Sequence, residues 1–147
     1  LPSTAEVVVA ELNPVVLKWC QGPLAELTNG AANDPRVRVE ITDVAELVGK
    51  TAKGASANKF DAIVFDLYKG PHYHTDKLKD PLYGSRAIEK ARSALKPGGV
   101  FSIWGENFDE GFDKRLRAAG FTVSHEKPGR GGFRHVVFLA NLPRAKK

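Results

Sequence analysis

Residues 6–14 read EVVVAELNP, a short apolar run followed at once by an acid and then by the start of a helix. A nearly continuous apolar run is typical of a strand that is buried on both faces of a parallel sheet. Asn13 is a favourable N-cap, and Pro14 suits the first helical position. The pattern therefore predicts a strand over residues 6–11 and a helix from Pro14, which together begin a βαβ unit.

The rest of the chain repeats this alternation of strand and helix patterns. Further strands are predicted over residues 36–41, 60–66, 100–104, 121–124 and 135–140. Further helices are predicted over residues 45–48 and 85–95, followed by one lined by Phe108, Phe112, Leu116 and Ala119. The last two strands form an antiparallel pair joined by a glycine-rich turn at residues 129–132. The sequence thus predicts an α/β, Rossmann-like three-layer sandwich, with a mostly parallel sheet and a C-terminal antiparallel hairpin.

Composition limits the class of protein. The chain has 147 residues, 42% of them hydrophobic and 27% charged, and we interpret residues 1–147 as one globular domain. No apolar run approaches the roughly 18–20 residues that span a bilayer, so no membrane partner is expected. Cys20 is the single cysteine and cannot form an internal disulfide, which favours a cytoplasmic location. The net charge of +5 permits an anionic partner, but the basic residues are scattered and nucleic acid is not indicated.

Three successive predicted strands end at, or just before, an acid: Glu11, Asp43 and Asp66. In a parallel sheet, ligands bind beyond the carboxyl ends of the strands. There the first acid can accept both hydroxyls of a ribose, the second can accept an adenine amino group, and the third can meet an amine. Acids also cap strand ends and start helices, and this alternative stays open for each of the three. The ordered series favours a nucleotide site.

A resemblance rests on the series VAELNP at 9–14, DPRV at 34–37 leading to Asp43, FDAIVFD at 60–66 and LKPGGV at 95–100. The series resembles class I S-adenosylmethionine-dependent methyltransferases, and within them the spermidine synthase-like branch. The resemblance implies a seven-stranded sheet and S-adenosylmethionine, or its decarboxylated form, as cofactor. It also implies a small-molecule substrate, amine-bearing in some relatives, and it allows a homodimer.

The resemblance assigns roles to particular residues. Glu11 and Leu12 would hold the ribose, Asp43 and Val44 would face the adenine, and Asp66 would line the reaction centre, as cofactor ligand and catalytic residue. We also assign Tyr68 a catalytic role, in which it shapes the entry while Asp66 orients or deprotonates an acceptor amine. Methyl transfer needs mainly alignment, so few acid–base groups are expected.

Two departures from the family pattern set further expectations. Such domains open with a strand and a glycine-rich turn, whereas nothing before Glu6 supplies either, and the chain starts at Leu1 without any Met. We therefore expect that the first strand and glycine-rich loop are missing, which would leave two strands without their shared neighbour. Aminopropyltransferases typically carry Asp-Ser-Ser-Asp-Pro where this chain has DLYKGP at 66–71. Lys69 replaces the second acid and repels a polycation, which disfavours polyamine synthesis.

The loop at residues 68–83 is long and rich in aromatic residues and histidine, as binding lids often are. Tyr68, Tyr73, Tyr83 and Trp104 are interpreted either as the wall of a substrate pocket or as ordinary packing. His72 and His74, with Asp76 nearby, suggest metal ligands, but their spacing is poor for a metal site and none is predicted.

Three functions remain in competition. The leading hypothesis is a transferase that binds S-adenosylmethionine or its decarboxylated form and acts on an unknown acceptor. The alternative is a catalytically degenerate homologue that serves as a binding or dimerisation module. A nicotinamide-dependent dehydrogenase is a third hypothesis, since an acid after a strand also binds ribose in dinucleotide sites. The acids at 43 and 66 and the terminal hairpin argue against it.

Overall fold

The computed structural model describes residues 1–75, 78–128 and 135–144, so the predicted turn at 129–132 lies outside the described residues. The strands are β1 (Val7–Glu11), β2 (Val37–Ile41), β3 (Phe60–Phe65), β4 (Leu95–Gly105), β5 (Thr122–Glu126) and β6 (Val136–Asn141). The helices are α1 (Pro14–Gln21), α2 (Val44–Lys53), α3 (Ser85–Ala94) and α4 (Glu110–Ala118). This order, with two parallel strand pairs and an antiparallel end, is the predicted Rossmann-like α/β fold.

The chain divides into two compact units, Leu1–Leu47 and Val48–Lys147. In the first unit, β1 and β2 form a parallel pair whose register runs from Val7 opposite Val37 to Glu11 opposite Ile41. Helix α1 begins as predicted, since Asn13 caps it and Pro14 occupies its first turn. The helix ends before Gly22, and a 3-10 turn follows at Glu26–Thr28.

Burial in the first unit is lower than its sequence predicts. Residues 6–11 have the pattern of a strand buried on both faces, yet Val9 is 40% exposed and no described residue from 1 to 47 is fully buried. Among the described residues, β1 pairs with β2 alone. The expectation of a strand buried on both faces is therefore wrong for this chain, because the described residues do not cover its apolar side chains.

The second unit holds a four-stranded sheet in the order β3-β4-β6-β5. Strand β4 is parallel to β3 and antiparallel to β6, and β6 is antiparallel to β5, so the predicted terminal hairpin is present. Strand β3, like β1, has one strand partner among the described residues. That these two strands share a neighbour that is missing stays a prediction.

One face of the second sheet carries the core. Cross-strand partners such as Ile63 and Phe101, or Ile103 and Phe138, are buried side by side on this face. Ring edges meet ring faces where Phe65 contacts Phe101, with centroids 5.0 Å apart, and where Phe112 of α4 contacts Phe138 at 5.2 Å. The opposite face is more open: Val64 is 66% exposed.

Helices α3 and α4 supply the other side of this core. Ile88, Ala91 and Leu95 point inward as the periodicity predicts, and all are buried. Phe112 and Leu116 of α4 are also buried, but Phe108 precedes the helix and is half-exposed. The assignment of Phe108 to the helix was wrong because Asp109 is the N-cap: its side chain accepts the Phe112 N–H at 2.6 Å. None of the helices in the described residues is both long and apolar enough to cross a membrane.

Candidate active site

Glu11 ends β1 and shapes the turn into α1. Its Oε1 accepts the backbone N–H of Asn13 at 2.7 Å, and Asn13 Oδ1 in turn accepts the N–H of Val15 at 2.9 Å. These two bonds satisfy backbone donors that the first turn of a helix leaves unpaired. Leu12, between them, is exposed. The turn therefore presents one carboxylate and one apolar side chain at the carboxyl end of the strand.

Asp43 lies two residues after the end of β2. Its Oδ1 accepts the N–H of Ala45 at 2.7 Å, and its carbonyl accepts the N–H groups of Glu46 and Leu47. Helix α2 begins at Val44, which is half-buried, so Asp43 has the hydrogen bonds of a helix cap. One oxygen of the Asp43 carboxylate therefore caps helix α2. This agrees with the alternative interpretation, in which such acids start helices.

Glu11 and Asp43 lie at the same edge of the first sheet. Strands β1 and β2 are parallel neighbours, Glu11 is opposite Ile41, and the N–H of Thr42 donates to the Glu11 carbonyl at 3.0 Å. Within residues 1–75, 78–128 and 135–144, the second oxygen of each carboxylate has no hydrogen-bond or ion-pair partner. Each acid therefore has one oxygen committed to the backbone and one available.

Asp66 follows β3 in the second unit. Its carboxylate is exposed and forms no hydrogen bond or ion pair with any residue that the structure describes. Tyr68, two residues on, is 92% exposed. The convergence of Asp66 with Glu11 and Asp43 on one adenosine stays a prediction, as do the roles of Leu12, Val44 and Tyr68.

The turn after Asp66 is fixed to the end of β4, an anchor that the sequence did not reveal. A Cβ on Gly70 would lie 2.4 Å from the Gly105 Cα and 2.7 Å from the Trp104 carbonyl oxygen, so only glycine fits. The hydroxyl of Tyr83 donates to the Lys69 carbonyl at 2.6 Å. In the sequence, the Gly70-Pro71 dipeptide is the one indication that the backbone comes close to Gly105 here.

Tyr83 is a core residue and is therefore not part of the wall of a substrate pocket. The side chain is 3% exposed and its ring meets the Phe112 ring edge-on, with centroids 5.7 Å apart. Burial, together with the nearby Asp80 charge, raises the pKa of Tyr83, so it stays a hydrogen-bond donor. Trp104 is half-buried, and its ring contacts that of His135 with centroids 5.1 Å apart and the ring planes tilted by 36°. The packing interpretation therefore holds for Tyr83.

The histidines of the loop contact each other. The rings of His72 and His74 meet edge-on at 5.7 Å, and the N–H of His74 donates to His72 Nδ1 at 3.3 Å. Asp76, the third residue of the rejected metal site, lies outside the described residues. Across the part of the chain that the structure describes, no three potential ligand side chains are grouped to hold a metal ion.

A carboxylate network between α4 and β5 was missed by the sequence analysis. Asp113 is buried; its Oδ2 accepts from Arg117 Nε at 2.8 Å, and its Oδ1 lies 2.8 Å from His125 Nε2. Burial raises the pKa of Asp113, but the bonds from Arg117 and His125 outweigh it and leave the pKa below its ordinary value. Arg117 also donates to the Val123 carbonyl. The network joins α4 to β5. In the sequence, its one indication is the four-residue spacing of Asp113 and Arg117, which places both on one face of a helix.

The family comparison covers most of the chain. A family model described as the spermine/spermidine synthase domain matches residues 1–111. A polyamine aminopropyltransferase of Nitrosomonas europaea is 35% identical over 104 residues, which are 69% of this chain and 28% of that protein. One of Mycobacterium tuberculosis is 28% identical over 102 residues, 69% of this chain and 18% of that protein. The chain thus spans less than a third of the length of these relatives.

Solved structures share the fold. Human methyltransferase-like protein 13, in complex with SAH, superposes with a TM-score of 0.69 at 22% identity, covering 93% of this chain and 61% of that one. Spermidine synthase from Thermotoga maritima gives a TM-score of 0.59 at 23% identity, covering 92% of this chain and 45% of that one. A spermidine synthase in complex with the transition-state analogue AdoDATO gives a TM-score of 0.62 at 22% identity, covering 95% of this chain and 48% of that one.

Proposed function

This chain belongs to the spermine/spermidine synthase domain family, and on that premise we propose that it holds the adenosine of S-adenosylmethionine, or of its decarboxylated form, in a transferase. The observation that carries the proposal is the position of Glu11 and Asp43. Glu11 ends β1 and Asp43 lies two residues beyond the neighbouring parallel strand β2, and both keep one carboxylate oxygen without a described partner. Two free acceptors at one sheet edge match the donors of an adenosine.

The donor chemistry fits each position. A carboxylate accepts two hydroxyl hydrogens with short, charge-assisted bonds, so Glu11 would hold both ribose hydroxyls. An adenine amino group is a donor, and Asp43 would accept from it. Leu12 and Val44, which follow these acids, would supply apolar contact to the sugar and the base. Because one oxygen of each acid is already held by the backbone, both carboxylates would be oriented before a ligand arrives.

The transfer step would use few protein groups. The cofactor, when bound, would supply a carbon attached to a sulfonium sulfur, and this sulfur would leave as a neutral thioether when an acceptor nucleophile bonds to that carbon. The exposed carboxylate of Asp66 would accept a hydrogen bond from an acceptor amine and take its proton at a carboxylate oxygen. Gly70 and the Tyr83 hydroxyl hold the turn that follows Asp66, so they would fix the direction of approach. Tyr68 would form part of the entrance.

The acceptor is proposed to be a small molecule with one nucleophilic amine. The relatives that are named polyamine aminopropyltransferases favour aminopropyl transfer, and the structural likeness to methyltransferases shows the fold alone. Lys69 lies three residues after Asp66 and is exposed, so a polycation would meet a like charge there. A monoamine acceptor would avoid that repulsion.

Calorimetry tests the proposal. The protein is titrated with S-adenosylmethionine, its decarboxylated form, S-adenosylhomocysteine and NAD. We expect one of the first three to bind and NAD not to bind; binding of NAD alone would overturn the proposal. Glu11→Gln keeps an oxygen for the Asn13 N–H but removes the charge, and should weaken binding by roughly 10- to 100-fold. Glu26→Gln, an exposed acid of the same unit, is the matched control and should not change affinity.

A second candidate function is a binding module that does not catalyse transfer. Lys69 favours it, because the position where aminopropyltransferases carry a second acid holds a cation instead. Such a module would bind the cofactor, or none of the four ligands, and would show no turnover with any amine. A mass-spectrometric search for alkylated amines, run alongside the calorimetry, separates the two functions.

A further inference from the structure

A basic depression lies on the second unit, where the chain turns into α3. Its volume is about 270 Å³. The lining residues come from the turn before α3 and from its first two turns: Lys79, Asp80, Pro81, Arg86, Ala87 and Lys90. Half of them are cations, one is an acid and two are apolar.

The three cations of the lining have no ion-pair partner among the described residues. Lys79, Arg86 and Lys90 are exposed, and none forms an ion pair with a carboxylate in residues 1–75, 78–128 or 135–144. Arg86 and Lys90 are four residues apart, so they share one face of α3, where their like charges repel each other. A bound anion would remove this repulsion. Glu89 lies on the same helix but does not line the depression.

The one acid of the lining is committed to the backbone. Asp80 Oδ1 accepts the N–H of Leu82 at 3.0 Å and the N–H of Tyr83 at 2.7 Å. These bonds draw its charge toward the turn and stabilise the entry to α3. The carboxylate therefore has a structural role that explains its presence among three cations.

The cations are carried by a well-anchored element. Helix α3 buries Ile88 and Ala91 completely, and Tyr83, just before it, is a core residue. A Cβ placed on Gly49 of α2 would be 4.0 Å from Lys90 Cδ, so the aliphatic stem of Lys90 lies alongside α2. Arg86 and Lys90 thus project from a fixed frame, as a binding site requires.

We propose that this depression binds a small phosphate-bearing anion. Three cations lining an open depression suit a compact group with several charged oxygens, and Arg86 can engage two of them at once. Pro81 and Ala87 offer apolar contact for the carbon part of such a molecule. An extended nucleic acid would need a basic stripe rather than one hollow.

The test is a titration of the full chain with sodium pyrophosphate at constant ionic strength, followed by amide chemical shifts. We expect saturable shifts confined to residues 79–90, and at least a tenfold loss of affinity in the double variant Arg86→Gln/Lys90→Gln. Lys114→Gln, a cation of α4 that pairs with Glu110, is the control and should bind normally. Both altered residues are exposed, and thermal unfolding of the variant verifies its fold.

Three results would overturn the proposal. The first is a set of shifts spread over all basic surfaces without saturation. The second is an unchanged affinity in the folded double variant. The third is tighter binding of a single-stranded oligoribonucleotide through the same three cations, which would reassign the depression to nucleic acid.

Discussion

The first 47 residues and the rest of the chain have similar elements but very different burial. Both contain a parallel strand pair with apolar strands, yet every fully buried side chain among the described residues belongs to the second unit, from Val48 onward. The second sheet has α3 and α4 packed on one face, and its rings interlock there. The comparison teaches that an apolar strand pattern predicts the strand, whereas burial depends on which elements cover it.

The largest expected effect contrasts the two units directly. Phe138→Ala removes a fully buried ring that contacts Phe112, and should lower the free energy of unfolding by about 3–5 kcal/mol. Val9→Ala in β1 removes a side chain that is already 40% exposed, and should cost roughly 1 kcal/mol or less. Urea unfolding followed by circular dichroism measures both. Equal losses would mean that the first unit contributes to stability as much as the second.

The next effect concerns the anchored turn after Asp66. Gly70→Ala drives a Cβ into backbone atoms of Gly105 and Trp104, and should destabilise by about 1–3 kcal/mol. Gly54→Ala is the control, because its nearest neighbour would be a carbonyl oxygen at 3.4 Å, an ordinary contact. Thermal unfolding compares the two variants. If the Gly70→Ala protein were as stable as the Gly54→Ala protein, the turn would accommodate the added methyl group without a loss of stability.

The carboxylate network of the second unit gives a pH-dependent prediction. The pKa of Asp113 is below 3.8, so its contribution to stability is complete above about pH 4 and is lost as the pH falls through the lower folded-state value. Asp113→Asn should cost about 1–3 kcal/mol at pH 6 and should flatten the stability curve at acid pH. Denaturant unfolding from pH 6 to pH 2 checks this. Asp61→Asn, at an exposed ion pair with Lys96, should leave the curve nearly unchanged.

The smallest effect lies in the first unit, at an exposed pair. Asp34 accepts from Arg36 Nε at 2.9 Å and from Nη2 at 2.7 Å, and these bonds lower the pKa of Asp34 to about 2. Arg36→Ala should return that pKa toward 3.8. A carbon-detected NMR titration of the carboxyl group measures it, and an unchanged pKa would show that Arg36 is not the cause.

Sequence reasoning located the strands well because strand patterns are local. Observed strands begin and end within one or two residues of most predicted ones, and the caps at Asn13 and Asp43 follow from neighbouring residues. Strand β4 is longer than predicted, since Leu95 already pairs with Phe60 of β3. Helix α2 also extends further than predicted, to Lys53, through polar residues that carry no apolar periodicity.

In the candidate site, too, some features follow from the local sequence and others depend on distant contacts. Glu11, Asp43 and Asp66 were identified from their positions after strands, and the first two do lie at one edge of their sheet. The inward position of Tyr83 and the close approach of Gly70 could not be read from the sequence, since both depend on contacts with α4 or β4.

By itself, the sequence determined the α/β alternation, the helix starts and the acids that follow the strands, because residues a few positions apart set each of these features. The tertiary structure alone decided which apolar strand is covered, which aromatic residue enters the core, and that His125 meets Asp113 twelve residues away. Burial and long-range hydrogen bonds depend on partners that are distant along the chain. No local pattern encodes those partners.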